Sequence, residues 1–486
     1  MKISDIIYNE EYIFSEVDTS LEFCQLSTDP EKVGEGHLLI IPNSEKYKGG
    51  LSLAKVPIAV ICGSQVVMPE NIPAIRVENP RLALANAYYR FENPRLDGVT
   101  MIGITGTNGK TGTATIIEKV LSSLGYKTGF IGTGAIRIDG KTISDKSYSM
   151  TTPDPSLLYS TLKEMTESGC NTIIMEVSSH SLSLDKVSPL RFDYALFTNF
   201  SSEHTDFHGD IESYYSAKCI LFNQCKCGIF NIDDPYVRAA YERCETRKIS
   251  AGILWRGDVY ACNIENRGFD GLSYTYHGNS FSFKTLLKIP GFFNVYNSML
   301  AAAVCIDMGC KPCDVKHCLK QINEIAGRFE IIKDDISVII DYAHTDAAFD
   351  NILKELRAIK GSGRLTVVFG CGGMRDRAKR PRMAMAAEKY ADRIIVTNDN
   401  SRDEDPNRII SDIISGFKNA SFEINKSREE AIRSAILGAD DKDVVAVIGK
   451  GCEKYVITAE GYRDFDERAI IESALSERKA RKSYCV

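Results

Sequence analysis

The chain has 486 residues, 44% hydrophobic and 26% charged, and its 59 basic and 65 acidic residues leave a formal net charge of -6. That length exceeds one compact core and allows about three domains, and the mild acidity argues against nucleic acid as a main partner. The N-terminus lacks a basic segment followed by an apolar run, and no apolar stretch reaches the ~18 residues that span a bilayer, so a cytoplasmic protein without a membrane partner is expected.

The first hundred residues hold short β-branched runs, Leu38–Ile41 and Ile58–Ile61, split by a polar stretch from Asn43 to Gly50. They predict a small α/β domain over residues 1–98. From Gly98 apolar strands alternate with amphipathic helices: strands at Met101–Ile104, Thr172–Val177, Tyr194–Thr198 and Gly228–Asn231, and a helix from Gly112 to Leu124 stopped by Gly125. Such alternation predicts a parallel sheet covered by helices over residues 99–326. A second series follows Gly327, with strands at Val338–Asp341, Leu365–Phe369, Arg393–Thr397 and Val444–Ile448, and predicts a Rossmann-like domain over residues 327–486. The expected fold class is therefore α/β in three domains.

The fifteen cysteines are scattered, as reduced thiols would be. Only Cys310-Lys-Pro-Cys313, with His317 and Cys318, has a zinc-like spacing. It follows an apolar helical run and has no second Cys-x-x-Cys, so it reads as small apolar side chains packing a helix–turn–helix connection.

Gly106-Thr-Asn-Gly-Lys-Thr111 lies between a predicted strand and a predicted helix, where a phosphate cradle belongs. Glycines let backbone N–H groups turn onto phosphate oxygens, and the helix N-terminus adds its positive dipole end. Lys110 would neutralise the β- and γ-phosphates, and the Thr111 hydroxyl would meet Mg²⁺. The residue five before Gly109 is Ile104 rather than the glycine of the longer common loop, so the flanking elements carry the reading. Gly106, Thr107, Asn108, Gly109, Lys110, Thr111 and Gly112 are the expected ATP ligands. Glu176 closes a later strand, where ligands of open α/β sheets collect, and an acid there suits a divalent cation. His180, His204, His208 and His344 also fall just after predicted strands.

In order after the loop come Met175-Glu-Val-Ser-Ser-His180, Thr198-Asn-Phe-Ser-Ser-Glu-His204, His208-Gly-Asp210, Ser216-Ala-Lys218, Asn294-Val-Tyr-Asn297, Gly327-Arg-Phe-Glu330 and Asp341-Tyr-Ala-His-Thr345. The set resembles that of the Mur ligase family, from about residue 100 to the C-terminus. The resemblance implies an ADP-forming ligase that activates a carboxylate with ATP as an acyl phosphate, which an amine then displaces. That task needs cations more than acid–base groups. It further implies that Thr111 and Glu176 hold one Mg²⁺, and that His204 serves a second near the acyl phosphate. Lys218 would be carbamylated by CO₂ to give that second ion an anionic oxygen ligand. Asn294, Arg328 and Asp341 match positions holding adenine, phosphate and ribose. The catalytic set implied is thus Lys110, Glu176, His204 and Lys218.

Phe369-Gly-Cys-Gly-Gly-Met-Arg-Asp376 and Thr397-Asn-Asp-Asn-Ser-Arg-Asp-Glu-Asp-Pro406 resemble the branch of the family that adds the third residue of the peptidoglycan stem peptide. The resemblance implies that a diamino acid, meso-diaminopimelate ahead of lysine, joins the D-Glu γ-carboxylate of UDP-MurNAc-L-Ala-D-Glu. Arg375 and Arg402 would grip the distal carboxylate, a task suited to planar guanidinium groups. Asp399, Asn400 and Gly449 would complete the pocket, with Glu453 meeting the ammonium group. Thr151, Thr152, Ser178 and Lys186 match residues contacting the UDP-MurNAc-dipeptide.

The chain departs from the family at Ser401, where proline is usual, at Cys452, usually histidine, and at Lys186, usually arginine. It also departs at Asp29-Pro-Glu31 and Asn43–Gly49, where the uridine end is normally gripped. Lysine or another amine, a paralogue acting on a different carboxylate, a relative of the folylpolyglutamate or cyanophycin synthetases, and an inactive nucleotide-binding regulator stay open as alternatives. A monomer acting on small molecules is expected.

Overall fold

Strand-forming runs assemble into three large sheets, taken in succession along the chain, and one antiparallel pair, Tyr455–Thr458 with Gly461–Asp464, in the computed structural model. It describes residues 1–7, 12–15, 17–70, 72–144, 150–201 and 205–484, with backbone alone at 12–15, 144, 205–206 and 483–484. The first sheet orders its strands Tyr12–Ser15, Ala74–Val77, Ala59–Cys62, His37–Ile40 and Gln25–Ser27, all parallel except Tyr12–Ser15. Ala59–Cys62 is buried on both faces, as its unbroken apolar run requires.

The helix Pro80–Glu92 carries the chain to the second sheet. Asn79 caps it by accepting from the N–H groups of Arg81 and Leu82, proline fills the first position, and Asn93 ends it in a left-handed conformation. Its Ala83, Ala87 and Tyr88 share one core with Leu158, Tyr159 and Leu162 of the helix Pro155–Glu167. Tyr89 meets Tyr159 edge-on at 5.6 Å. The first sheet therefore joins the core under one face of the second.

In the eleven-stranded second sheet, Thr100–Thr105 lies between Phe192–Phe197 and Thr172–Glu176, all parallel. Glu176 pairs in register with Ile104, and Phe197 with Thr105. The C-terminal ends of the three strands are thus neighbours, which gathers the glycine-rich loop, the acid and the 198–201 segment at one edge. The strands Val259–Asn266, Leu272–His277 and Ser282–Leu287 extend the sheet beyond the expected set, the last two antiparallel. Ser282–Leu287 alternates exposed and buried residues, so it lacks the continuous apolar run that marks a doubly buried strand.

The third sheet orders Glu330–Lys333, Ser337–Asp341, Val444–Ile448, Leu365–Phe369, Arg393–Val396 and Glu423–Ile424, parallel except at the first. Asp341 and Phe369 both pair with Ile448, so the loops after these strands converge. The α/β class expected from sequence holds, with parallel strands dominating all three sheets. No helix among the described residues is long and apolar enough to cross a membrane. Every cysteine among them is a free thiol, and no group of three or more His, Cys, Asp or Glu side chains among them forms a metal cluster.

Candidate active site

The helix Lys110–Ser123 begins at Gly109, whose φ of +84° only glycine adopts readily. Gly106, at φ +144°, has no room for a side chain, because a Cβ would stand 1.9 Å from Thr198 Oγ1. Asn199 braces the loop from below. Its carbonyl accepts from Thr107 N–H, its Oδ1 accepts from Asn108 N–H at 2.9 Å, and its Nδ2 donates to Asn108 O at 2.9 Å. From above, Asn297 Oδ1 accepts from Thr113 Oγ1 at 3.2 Å.

Asn294, the residue expected at the adenine, lies beside this brace. It is 2% exposed, its Nδ2 donates to Pro290 O at 2.6 Å, and its Oδ1 accepts from Asn297 Nδ2 at 3.0 Å. It supports Asn297, which in turn supports the loop; burial of a carboxamide demands such partners. Sequence reading quoted Asn199 and Asn297 within motifs without giving either a role.

Lys110 Nζ donates to Gly106 O and Thr107 O, both at 2.9 Å. Lys218, on the helix Ile211–Cys219, is 2% exposed and donates to the same Gly106 carbonyl at 2.9 Å. Its nitrogen lies 4.5 Å from the ring of Tyr214, whose hydroxyl is 3.2 Å from Thr107 Oγ1. Two ammonium groups thus meet one carbonyl oxygen, which concentrates positive charge where phosphates would sit.

Glu176 is 0% exposed. Its Oε2 accepts from Thr111 Oγ1 and Thr133 Oγ1, both at 3.1 Å, and its Oε1 from Thr133 N–H at 3.0 Å. No lysine or arginine among the described residues forms an ion pair with it. A buried carboxylate beside a threonine hydroxyl, compensated only by neutral donors, is an oxygen donor set that fits Mg²⁺. When bound, Mg²⁺ would supply charge neutralisation on the phosphoryl oxygens there. His204 lies outside the described residues. His208 Nε2 contacts Ser179 Oγ at 3.0 Å, and its ring meets that of His180 at 5.4 Å. The His344 ring nitrogen Nδ1 lies 3.1 Å from Tyr342 O.

Beside Glu176, Thr152 Oγ1 donates to the Glu176 carbonyl at 2.9 Å and accepts from Ser178 N–H at 3.1 Å. Thr151 Oγ1 lies 3.1 Å from Thr133 Oγ1, and Ser178 Oγ caps a short helix through Ser181 N–H. The Lys186 ammonium is paired with Asp154 at 2.7 Å. Thr152 and Ser178 thus adjoin the backbone of Glu176.

The third sheet reaches into the same cleft. Arg328 lies 4.3 Å from the ring of Tyr342 and donates through Nη2 to Thr111 Oγ1 at 2.9 Å. The Cys452 sulfur packs 4.0 Å from Thr133 O. Asp341 accepts from Phe329 N–H and Ala343 N–H, each at 2.7 Å, and burial raises its pKa against the nearby Arg328 charge. Its Oδ2 holds the backbone beside Arg328, and its Oδ1 holds the turn after its own strand.

Around the converging loops, Lys450 is 0% exposed and was missed in sequence reading, where only its neighbours had roles. Its Nζ donates to Asn400 Oδ1 and Glu453 Oε2, both at 3.0 Å, and lies 3.9 Å from Asp399. Asn400 Oδ1 also accepts from Ile457 N–H, which turns Nδ2 onto Glu453 Oε2 at 2.8 Å. Burial acts to raise the pKa of Asp399, yet the Lys450 and Arg428 charges hold it below the ordinary carboxylate value. Gly449, at φ +125°, has no space for a Cβ, which would lie 2.7 Å from Asp399 Oδ2. Arg402 takes a left-handed φ of +52°, and its Nη1 donates to Gly373 O at 3.0 Å and Asn400 O at 3.3 Å. Burial and the neighbouring Arg375 charge both push the Arg402 pKa down. Arg402 Nη1 and the Arg375 stem both border Gly372, so the two arginines stand on adjoining loops.

Residues 104–305 match the family model described as Mur ligase middle domain, and residues 327–451 that described as Mur ligase, glutamate ligase domain. The chain belongs to the Mur ligase family. It is 36% identical over 490 residues to UDP-N-acetylmuramoyl-L-alanyl-D-glutamate--2,6-diaminopimelate ligase 1 of Clostridium acetobutylicum, covering 98% of this chain and 100% of the relative. The corresponding ligase of Aquifex aeolicus is 40% identical over 441 residues, covering 88% and 89%. Among solved structures, a UDP-N-acetylmuramoyl-L-alanyl-D-glutamate--2,6-diaminopimelate ligase superposes with a TM-score of 0.66 at 25% identity over 99% of both chains. A Mycobacterium tuberculosis folylpolyglutamate synthase complexed with ADP and AMPPCP shares the fold at a TM-score of 0.65 and 18% identity, over 76% of this chain and 93% of that one. Mur ligases are ATP-dependent, ADP-forming ligases, and this Mur ligase is an enzyme of that class.

Proposed function

We propose that this Mur ligase joins meso-diaminopimelate to the D-Glu γ-carboxylate of UDP-MurNAc-L-Ala-D-Glu, in three domains spanning residues 1–98, 99–326 and 327–486. The γ-carboxylate attacks the γ-phosphate of ATP, giving an acyl phosphate and ADP. The donor amine then adds to the acyl carbon, and phosphate leaves as the amide forms. Lys110 and the loop N–H groups hold the phosphates, with Gly106 and Gly109 giving the backbone its close approach. Thr111 and Glu176 would hold Mg²⁺, and Arg328 would meet the transferring phosphoryl group from the opposite wall. Glu453 would receive the donor's ammonium group, while Arg375 and Arg402 would take its distal carboxylate.

The observation that carries this reading is that Arg402 and Arg375 stand on converging loops and both border Gly372, burial and the Arg375 charge pushing the Arg402 pKa down. Such an arrangement is costly unless an anion is to be bound there, and a diamino diacid supplies one where lysine does not. Carbamylation of Lys218 is part of the proposal. A second buried ammonium on the Gly106 carbonyl is unfavourable, and conversion to a carbamate would replace a cation with an oxygen ligand for a second Mg²⁺, together with His204. The enzyme would act in the cytoplasm as a monomer. Purified enzyme with ATP, Mg²⁺ and UDP-MurNAc-L-Ala-D-Glu should release phosphate on addition of meso-diaminopimelate and far less with L-lysine. Absence of amine-dependent phosphate release would sink the proposal.

A further inference from the structure

Behind the two arginines lies a second charged pair that touches neither reacting atom nor phosphate. Arg380, on the helix Lys379–Tyr390, is 0% exposed. Its Nη1 and Nη2 donate to Glu404 Oε1 and Oε2, each at 2.7 Å, in a two-pronged clasp. It also reaches Asp412 Oδ2 at 2.9 Å and Gly372 O at 3.2 Å. Glu404 Oε2 in turn accepts from Met374 N–H at 2.9 Å. Two further bonds lace the same loops: Gly373 N–H to Asn400 O at 2.8 Å, and Arg402 Nη1 to Gly373 O at 3.0 Å.

Four of these bonds tie the segment 372–374 to the segment 400–404 or to Arg380, and the clasp ties Arg380 to Glu404. Arg375 follows the first segment directly, and Arg402 lies inside the second. Met374 and Arg402 both hold left-handed φ angles, of 54° and 52°, which side chains other than glycine keep only when their surroundings impose them. An open groove of about 730 Å³ runs past Met374, Arg375, Asp403, Glu404 and Arg408. The Arg380–Glu404 clasp therefore ties together the two backbone segments from which Arg375 and Arg402 project.

We infer that Arg380, acting through Glu404, is a positioning residue that sets selectivity for an amino donor bearing a distal carboxylate. The inference rests on the proposed role of Arg375 and Arg402. Two-point capture of a carboxylate tolerates little displacement of either partner, whereas a donor without that carboxylate does not use the clamp.

The test uses the full-length enzyme carrying Glu404→Gln and, separately, Arg380→Lys, with KM and kcat measured for meso-diaminopimelate, L-lysine and ATP. Glu404→Gln keeps shape but weakens the clasp and should raise KM for diaminopimelate on the order of tenfold, the scale of a charge-assisted hydrogen bond lost to misalignment. KM for ATP should stay unchanged, and turnover of lysine relative to diaminopimelate should rise. Arg380→Lys keeps the charge without the fork and should give the same split. Unchanged KM for diaminopimelate in Glu404→Gln, or a common rise for ATP and both amines, would overturn the inference. A wild-type enzyme that discriminates nothing between the two amines would overturn the proposed donor as well, so the two failures are told apart by the wild-type arm.

Discussion

Replacing Lys450 by methionine removes the one cation that Asn400 and Glu453 share while preserving most of the side-chain volume. The ammonium is fully buried, with acceptors at 3.0 Å on both residues and Asp399 at 3.9 Å. Breaking a buried ion pair by deleting one partner costs about 3–5 kcal/mol. The lower end applies, because Glu453 retains the Asn400 Nδ2 bond and Asp399 retains Arg428 at 3.9 Å. For a cooperative unit the size of the third sheet and its helices, about 3 kcal/mol corresponds to roughly 6–12 °C in Tm. Asn400 would also lose the partner that fixes which way its carboxamide points, so Glu453 would no longer present one oxygen to the donor's ammonium. Calorimetry of the full chain should show the transition nearest this unit falling by that amount, and kinetics should show a raised KM for the amine with an unchanged KM for ATP. A shift below about 2 °C, within the reach of an ordinary surface change, would refute the buried-network argument.

Lys218→Ala should abolish turnover, with partial recovery when a short carboxylate such as formate or acetate supplies the missing oxygen ligand; full activity in the unrescued variant would remove the carbamate. Glu404 titrates at about 2 rather than its ordinary 4.5, first because of its bonds to Arg380. A depressed carboxylate pKa contributes stability that is present above pH 4.5 and lost as the pH falls toward 2. The gap in urea midpoint between wild type and Glu404→Gln should accordingly hold steady from neutrality to pH 4.5 and close by pH 2. A gap that does not narrow over that range would detach Glu404 from Arg380.

Several parallel strands of the second and third sheets were legible as apolar runs that end at a glycine or an acid, whereas Thr128–Gly132, Arg247–Gly252 and Glu423–Ile424 were not read. Thr100–Thr105 and Thr172–Glu176 are of this kind, and they carried the loop and Glu176 with them. The antiparallel edge Leu272–Ser282 onward was illegible, since Tyr, Thr and Ser alternate there without a dense apolar signal. Within the site, residues that face a ligand were readable from motif and charge. Those that hold them were not: Lys450 and Arg380 look in sequence like solvated cations, and only burial reveals their partners. Asn294 shows the same limit, since its motif position gives no sign of its bond to Asn297.

The hydrogen bond from Arg328 to Thr111 joins residues 217 apart in sequence and crosses from the third sheet to the phosphate loop. Because Thr111 and Arg328 are both proposed to serve the nucleotide, its affinity and the apposition of the two sheets would form a single linked equilibrium. If apposition tightens the nucleotide tenfold, nucleotide must favour apposition by the same factor, about 1.4 kcal/mol in each direction. An amine that engages the loops of the third sheet is then an effector of the nucleotide site, and ATP an effector of the amine's, although the two ligands have different sets of protein partners.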